Sequence, residues 1–362
     1  MTRKWFTSIG IFACLFFLQG ARSHHAAQDV PLNLRVNVVL VQLNVAVTDN
    51  KGNYVTGLRP EDFSVSEDRI QEKVSSFEES QEVGHGPMET ARRERDAHDG
   101  APAPPAVALN PGDPPAISIS RVAESNLFIL FDTSNYMYRS FVFAQDAITE
   151  FIRSMDDATK IAFYSYSRNL SRATTLSSDP YRVIGGVRST VAGDDAALYN
   201  SLLLTVKDAS PLRGRKAIVV FSNGPDNASS VPPEDVAELA QSTGTIIYII
   251  STRQAEEDPI CAAAFERVSR ASGGKAYFAR NWRQEKEAFA AIREDLVHLY
   301  TLSYYPQPNQ NRGWRSIKVK LVGKDLQKYH IRTRDGYRLL PTAGGLESDT
   351  GAREAPSGTG AN

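Results

Sequence analysis

Two apolar runs of this chain each end on side chains rich in oxygen. Leu127 to Phe131 leads into Asp132-Thr133-Ser134-Asn135-Tyr136, and Ala217 to Phe221 leads into Ser222-Asn223-Gly224-Pro225-Asp226-Asn227. A carboxylate at the end of a buried strand, with a hydroxyl two residues later, stands where open α/β sheets bind ligands, outside the carboxyl ends of their strands. Hard cations such as Mg²⁺ and Ca²⁺ use such oxygens. Tyr136, Met137, Tyr138 and Phe141 place aromatic and apolar groups beside the first segment, and such side chains are enriched at interface hot spots. The chemistry suggested is recognition.

Bond-making chemistry has less support. A hydrolase needs a nucleophile, a histidine and an orienting acid. Of six histidines, His24 and His25 lie near the start, His85 and His98 in a polar stretch and His330 in a late extended run, leaving His298 at the end of a helical segment. Neither Gly-x-Ser-x-Gly nor His-Glu-x-x-His occurs. Cys261, in an Ala-rich segment, reads as a small hydrophobe. Ser272-Gly273-Gly274-Lys275 lacks P-loop spacing and reads as a helix end before a strand. No residue is assigned a catalytic role, and the chain is expected not to be an enzyme.

A net charge of −1 over 362 residues gives no global field for nucleic acid. The cluster Arg213-Gly214-Arg215-Lys216 reads as a solvated loop. Lys318 and Lys320 alternate with apolar residues as one charged strand face that protects an edge.

Positioning the two oxygen-rich segments requires strands that alternate with helices. From Ser125 onward the pattern is of that kind, which argues for an α/β fold with a mostly parallel sheet covered by helices. Expected strands are Leu127–Phe131, Ile161–Tyr166, Ala217–Phe221, Thr245–Ile250 and Ala276–Ala279, with Leu170–Leu176 as a short antiparallel edge. Expected helices are Val142–Ser154, Ala197–Lys207, Pro233–Ser242, Pro259–Ser272 and Gln284–His298. On either side lie extended patterns: Leu34 to Val47, alternating at Val41, Leu43, Val45 and Val47, then Phe63 to Phe77, and late runs at Leu299–Tyr305, Ser316–Val322 and Tyr329–Arg334. Too few strands lie at either end to be stable alone, so the two ends are expected to pair into one β-module.

At the N-terminus Arg3 and Lys4 precede an apolar run from Trp5 to Leu18 and small residues to Ser23, the layout of a secretory signal peptide. The run is short for a membrane span, so no transmembrane helix is expected in the mature chain. Lipid attachment at Cys14 is a rival reading that bulky Phe12 and the apolar Leu15–Leu18 speak against. The expected organisation is a signal peptide over 1–23, an N-terminal β-region over 30–79, a flexible linker over 80–121, an α/β domain over 122–298, C-terminal strands over 299–341 and a disordered tail over 342–362. Export places the protein in the periplasm or outside the cell.

Asp132-Thr133-Ser134-Asn135-Tyr136, together with Ser222-Asn223-Gly224, resembles the metal-ion-dependent adhesion motif of von Willebrand factor type A domains, a Rossmann-like, doubly wound fold. Val55 to Phe63 and the late Tyr304-Tyr305-Pro306, Ile317 to Lys320 and Arg334 to Tyr337 resemble the flanks of bacterial, acidobacterial-type secreted proteins of that family. The resemblance implies a protein-binding, adhesion-type module. Asp132 and Ser134 match the first Asp and Ser of the motif. Tyr136 replaces the second Ser, Ala196 replaces the mid-chain Thr in Asp194-Asp195-Ala196-Ala197-Leu198-Tyr199, and Asn223 replaces the last Asp. The motif is degenerate, so metal dependence is expected to be weak or absent. In the metal-free reading, Asn223 and Tyr136 donate hydrogen bonds to Asp132. In the metal reading, Mg²⁺ or Ca²⁺ sits on Asp132, Ser134 and a substitute Asp194 or Asp195, with Asp226 near. The expected partner-binding rim is Asp132, Ser134, Tyr136, Tyr138, Asp195, Asn223 and Asp226. Its rival is a structural scaffold of the cell envelope.

Overall fold

A computed structural model describes residues 40–80, 125–138, 140–155, 159–252 and 257–339. The expected signal peptide, Cys14, the linker beyond Ser80 and the tail lie outside the described residues. In chain order the elements are β1 (Val41–Thr48), β2 (Phe63–Glu67), β3 (Ile70–Glu72), β4 (Val74–Glu79), β5 (Ser125–Asp132), α1 (Phe141–Ser154), β6 (Thr159–Tyr166), β7 (Leu170–Ser177), α2 (Pro180–Arg188), α3 (Leu198–Ala209), β8 (Arg215–Ser222), α4 (Pro233–Thr243), β9 (Thr245–Thr252), α5 (Pro259–Ala271), β10 (Ala276–Ala279), α6 (Trp282–Val297), β11 (Tyr300–Tyr304), β12 (Trp314–Leu321), β13 (His330–Arg332) and β14 (Gly336–Arg338).

The near-continuous apolar run of β5 follows from its place inside a sheet covered on both faces. Leu127, Ile129 and Phe131 pack on one side with α1, α2 and α6, while Phe128 and Leu130 pack on the other with α3, α4 and α5. The strand order is β10-β9-β8-β5-β6-β7, parallel except for β7, which runs antiparallel at the edge. The chain passes from β5 to β6 on one side and resumes at β8 on the other. The carboxyl end of β5 is therefore a topological switch point, and Asp132 ends that strand.

Asp179, Asp258 and Asn281 cap α2, α5 and α6 by accepting backbone N–H bonds, with proline opening α2, α4 and α5. Gly273, at φ +87°, turns the chain out of α5, as expected of a helix-end glycine. Helix α2 has no counterpart among the expected helices. Its interior Gly185-Gly186 weakens the helical signal, and Gly186 is needed because a Cβ there would lie 2.1 Å from Thr174 Oγ1.

The remaining strands form two four-stranded sheets, β13-β1-β11-β4 and β14-β12-β2-β3, each mixing strands from both ends of the chain. They share one apolar core, with Leu43, Val45, Val47, Phe63, Val65, Tyr300, Leu302, Tyr304, Ile317 and Tyr337 in it. The alternation of β1 suggests one buried face, but both are covered. Leu43, Val45 and Val47 enter the β core, whereas Ala46 enters the core of the six-stranded unit. Strand β12 is paired on both sides. Because β14 covers only Trp314 to Ser316, the edge reading survives only for Lys318 and Lys320.

The two parts meet where α4, α5 and α6 end. A helix leaves its last carbonyls without intrahelical donors, and three arginines donate to carbonyls in or just beyond these helix ends. Arg215 donates to Leu296 O at 2.7 Å, to Ser80 Oγ and to Thr301 Oγ1 at 3.3 Å. Arg332 donates to Gly273 O, and Arg334 to Gln241 O and, at 2.9 Å, to Gln42 O. Cations at helix C-termini also complement the macrodipole. Asp295, fully buried, pairs with Arg332 and accepts Tyr54 Oη at 2.7 Å and Tyr248 Oη at 2.6 Å. This corrects the sequence reading of Arg213 to Lys216 as solvated: Arg215 is 6% exposed and joins the two parts. The charge pattern is that of a surface loop, and only the neighbouring Leu296 and Thr301 give the guanidinium its partners.

Asp295→Ala is expected to cost about 3 kcal/mol, because the mostly buried Arg332 would lose its counter-charge and Tyr54 and Tyr248 their acceptor. Denaturant unfolding followed by far-UV circular dichroism and by tryptophan fluorescence checks it. Both signals should shift together, and two separated transitions would show that the parts are not energetically joined. Lys216 offers a second test. Burial, helped by the nearby Arg334 charge, lowers its pKa to about 8 from 10.5. The unfolded chain then binds more protons between those values, so this residue's contribution to stability rises with pH across that window. Lys216→Met should be more stable than wild type at pH 7, by a margin that narrows toward pH 10.5; an unchanging margin would refute this.

Candidate functional site at the carboxyl end of the sheet

Asp132 is completely buried. Its Oδ1 accepts the Ser134 backbone N–H at 2.8 Å, and its Oδ2 accepts the Ser222 hydroxyl at 2.8 Å. Ser222 Oγ in turn accepts Tyr166 Oη at 3.0 Å and Gly224 N at 3.1 Å. Burial pushes the Asp132 carboxyl above its ordinary pKa, against the downward pull of Ser134, Ser222 and Tyr166. Burial, and then the Asp132 charge, push the Tyr166 phenol well above its own, so Tyr166 acts as a donor. Ser134 Oγ is buried and meets no partner in hydrogen-bond geometry, although it lies near enough to Asp132 to favour the carboxylate.

Backbone bonds tie the surrounding loops to these strand ends. Thr133 N donates to Tyr166 O at 2.8 Å, Gly193 N to Thr133 O at 2.7 Å and Asn135 N to Asp194 O at 2.8 Å. Gly193 has no substitute, since a Cβ there would lie 2.4 Å from Ser167 Oγ. Tyr138 Oη adds a bond to Gly193 O at 3.0 Å. Outside this frame stand large apolar side chains in the open: Tyr138 is 54% exposed, Val142 and Phe143 are each 62% exposed, and Val191 is 80% exposed.

The von Willebrand factor type A domain family model matches residues 126–291. That segment is a von Willebrand factor type A domain. Among solved structures, the chain is similar to the conserved hypothetical protein BatB from Bacteroides thetaiotaomicron, at 15% identity over 48% of this chain and 97% of that one, with a TM-score of 0.41. It is also similar to the vWF domain of the type V pili tip protein Mfa5 from Porphyromonas gingivalis (10%, 49% and 96%, TM-score 0.43). A third is the von Willebrand factor type A structure from Catenulispora acidiphila (12%, 56% and 63%, TM-score 0.40). None of the three exceeds 15% identity or a TM-score of 0.43, and the family assignment rests on the sequence model. A search of curated proteins finds no match.

Within the A domain, the residues singled out in the sequence divide into distinct roles. Asp132 and Ser134 sit together at the end of β5. The donors expected for Asp132, Asn223 and Tyr136, are instead joined to each other, Asn223 Nδ2 donating to Tyr136 O. This corrects the metal-free scheme read from the sequence: Ser222 and the Ser134 backbone fill the two acceptor oxygens. Asp195 pairs with Arg168, whose hydrogen bond holds its carboxyl below the usual range, and it also accepts Asn227 Nδ2 at 3.3 Å. Asp226 accepts Tyr199 N at 3.0 Å and Ser229 N at 2.8 Å, which serves the start of α3. Asp194 is exposed, and Met137 is fully buried beneath the rim.

A divalent ion at Asp132 would need six or more oxygens in a near-regular shell, preferably with carboxylate charge. Ser134 Oγ is a fitting orphan. The rest of the donor set is not: Asp195 is held by Arg168, Ala196 offers no side-chain oxygen, Asn223 is neutral, and a serine hydroxyl donates to Asp132 Oδ2. Among the described residues no three His, Cys, Asp or Glu side chains gather around one point. The residues present do not fit the ion.

Ser222 and Tyr166 are the site residues that the sequence reading missed. Each is the last residue of an apolar strand pattern, and that position was the available signal; that they meet depends on β6 and β8 flanking β5. Cys261 Sγ donates to Gly224 O at 3.1 Å, and its pKa is pushed up to about 12 by burial and then by Asp258 and Asp226. A thiol rather than a thiolate is a poor nucleophile, so Cys261 in the folded chain should resist iodoacetamide at pH 8 and react promptly in denaturant. Mass mapping of the alkylated peptide checks this, and rapid labelling of folded protein would contradict the buried placement.

Proposed function

We propose that this chain is an exported protein-binding module of the adhesion type, acting in the cell envelope or outside the cell, with a degenerate adhesion motif and little or no dependence on a metal. The acidobacterial-type secreted family is the one its flanking segments resemble. One observation supports the docking role above all. The A domain keeps Tyr138, Val142, Phe143 and Val191 exposed beside the carboxyl end of its sheet, while the β-module covers the opposite end through Arg215, Arg332 and Arg334. Aromatic anchors next to a rigid rim are the usual makings of an interface centre. A domains are in general interaction modules, which agrees with a non-enzymatic role. The seven-residue rim of Asp132, Ser134, Tyr136, Tyr138, Asp195, Asn223 and Asp226 is then read by role: Tyr138 and Tyr136 contact the partner, and the polar members hold the loops in shape. Among the described residues no helix is long and apolar enough to cross a membrane.

The second reading is a scaffold, in which the A domain only positions the β-module, and it is favoured by the buried Arg332–Asp295 pair that joins the two. Cross-linking capture from envelope extract decides between them, with wild type compared to Tyr138→Ala/Phe143→Ser. Both substituted residues are exposed, so Tm should fall only slightly, through loss of the Tyr138 bond to Gly193 O. The docking reading expects at least about a tenfold loss of captured partner with no effect of EDTA. Equal capture would favour the scaffold, and capture abolished by EDTA would favour a cation-dependent adhesion domain.

A further inference from the structure

We infer that a chain of hydroxyls, Tyr166 to Ser222 to Asp132, takes the place of a cation at the top of the A domain, and that Tyr166 and Ser222 are positioning residues that keep the rim in shape without an ion. The inference rests on the metal-independent part of the proposed function and deepens it; it does not involve the partner.

Strands β6, β5 and β8 lie side by side, with β5 in the middle. Each of these strands ends on a polar side chain, Tyr166, Asp132 and Ser222 respectively. All three are essentially buried, so each polar atom must find a partner inside the protein. Direction along the chain is fixed. Gly224 N can only donate, and it donates to Ser222 Oγ. Tyr166 Oη donates to the same oxygen. With both acceptor sites of Ser222 filled, its one hydrogen goes to Asp132 Oδ2. The other oxygen of Asp132 is held by Ser134 N. Three neighbouring strand ends and the Gly224 turn are thus joined through one carboxylate, which is the mechanical task a bound ion performs when it gathers oxygens from separate loops. A neutral Asn223 suits this arrangement. The Asn223 amide donates to Tyr136 O and secures the aromatic side of the rim, a bond that an aspartate carboxylate could not donate.

Thermal unfolding of the full mature chain in EDTA and in millimolar Mg²⁺, Ca²⁺ or Mn²⁺ tests the inference, using wild type, Asp132→Ala, Ser222→Ala, Ser222→Thr and Tyr166→Phe. A site of micromolar affinity would raise Tm by several degrees in millimolar ion. The expected result is a wild-type Tm indifferent to all three ions, a Tm lowered by several degrees in Ser222→Ala and Tyr166→Phe, and recovery of most of the loss in Ser222→Thr, which restores the hydroxyl. If Ser222→Ala does not fold, Tyr166→Phe carries the comparison. Wild type stabilised by an ion, with the effect lost in Asp132→Ala, would overturn the inference. So would a Ser222→Thr chain as unstable as Ser222→Ala, or a Tyr166→Phe chain as stable as wild type. Partner capture is not read here, so a failed docking experiment alongside the expected Tm pattern would count against the docking role alone.

Discussion

Helix ends need donors. Where α4, α5 and α6 finish at the amino end of the six-stranded sheet, their last carbonyls point away from any further turn of helix, and guanidinium groups meet them. Two of these come from the end of the β-module, Arg332 from β13 and Arg334 from the connection between β13 and β14, and the third, Arg215, opens β8. The charge they bring inside is balanced at one point by Asp295, itself the centre of a cluster with Tyr54 from the first β-region and Tyr248 from β9. A buried pair of this kind is weak grounds for extra stability by itself. Its consequence is dependence: neither part can lose the other without stranding charges and carbonyls.

The same requirement is met differently at the opposite end of the sheet. There the buried group is a single carboxylate, Asp132, and the donors are a backbone N–H and a serine hydroxyl backed by a tyrosine. Among the described residues no cation side chain enters that centre, and Arg168 is paired with Asp195 on the surface. One end of the domain is therefore closed by strands and arginines. The other is held by these bonds, with Ser134 Oγ left without a partner in hydrogen-bond geometry, and exposed Tyr138, Val142, Phe143 and Val191 stand around it. Among the described residues that end carries exposed aromatic and apolar side chains, types enriched in contact surfaces.

Much of this architecture is legible along the chain. Apolar runs such as Leu127 to Phe131 and Ala217 to Phe221 announce buried parallel strands, because a strand covered on both faces needs no polar alternation. Asp and Asn before proline or a helical pattern, as at Asp258 and Asn281, mark helix starts through their local backbone bonds. The position of Asp132 at the end of such a run is a local fact too. Helix α2 was not legible, because Gly185-Gly186 speaks against a helix unless one knows that β7 lies against it.

Left to itself, the order of residues settles which segments are strands and helices, and that a lone carboxylate and a run of aromatics sit at one strand end. These depend on interactions between residues a few positions apart, where periodicity and capping act. Which donors reach Asp132, and what Arg215 does, are decided only by the folded chain. Ser222 lies 90 residues from Asp132 and Leu296 lies 81 from Arg215, and strand order and helix packing bring each pair within hydrogen-bonding distance. A burial cost of several kcal/mol for an unpaired charge then favours the arrangement that brings these partners to Asp132 and Arg215.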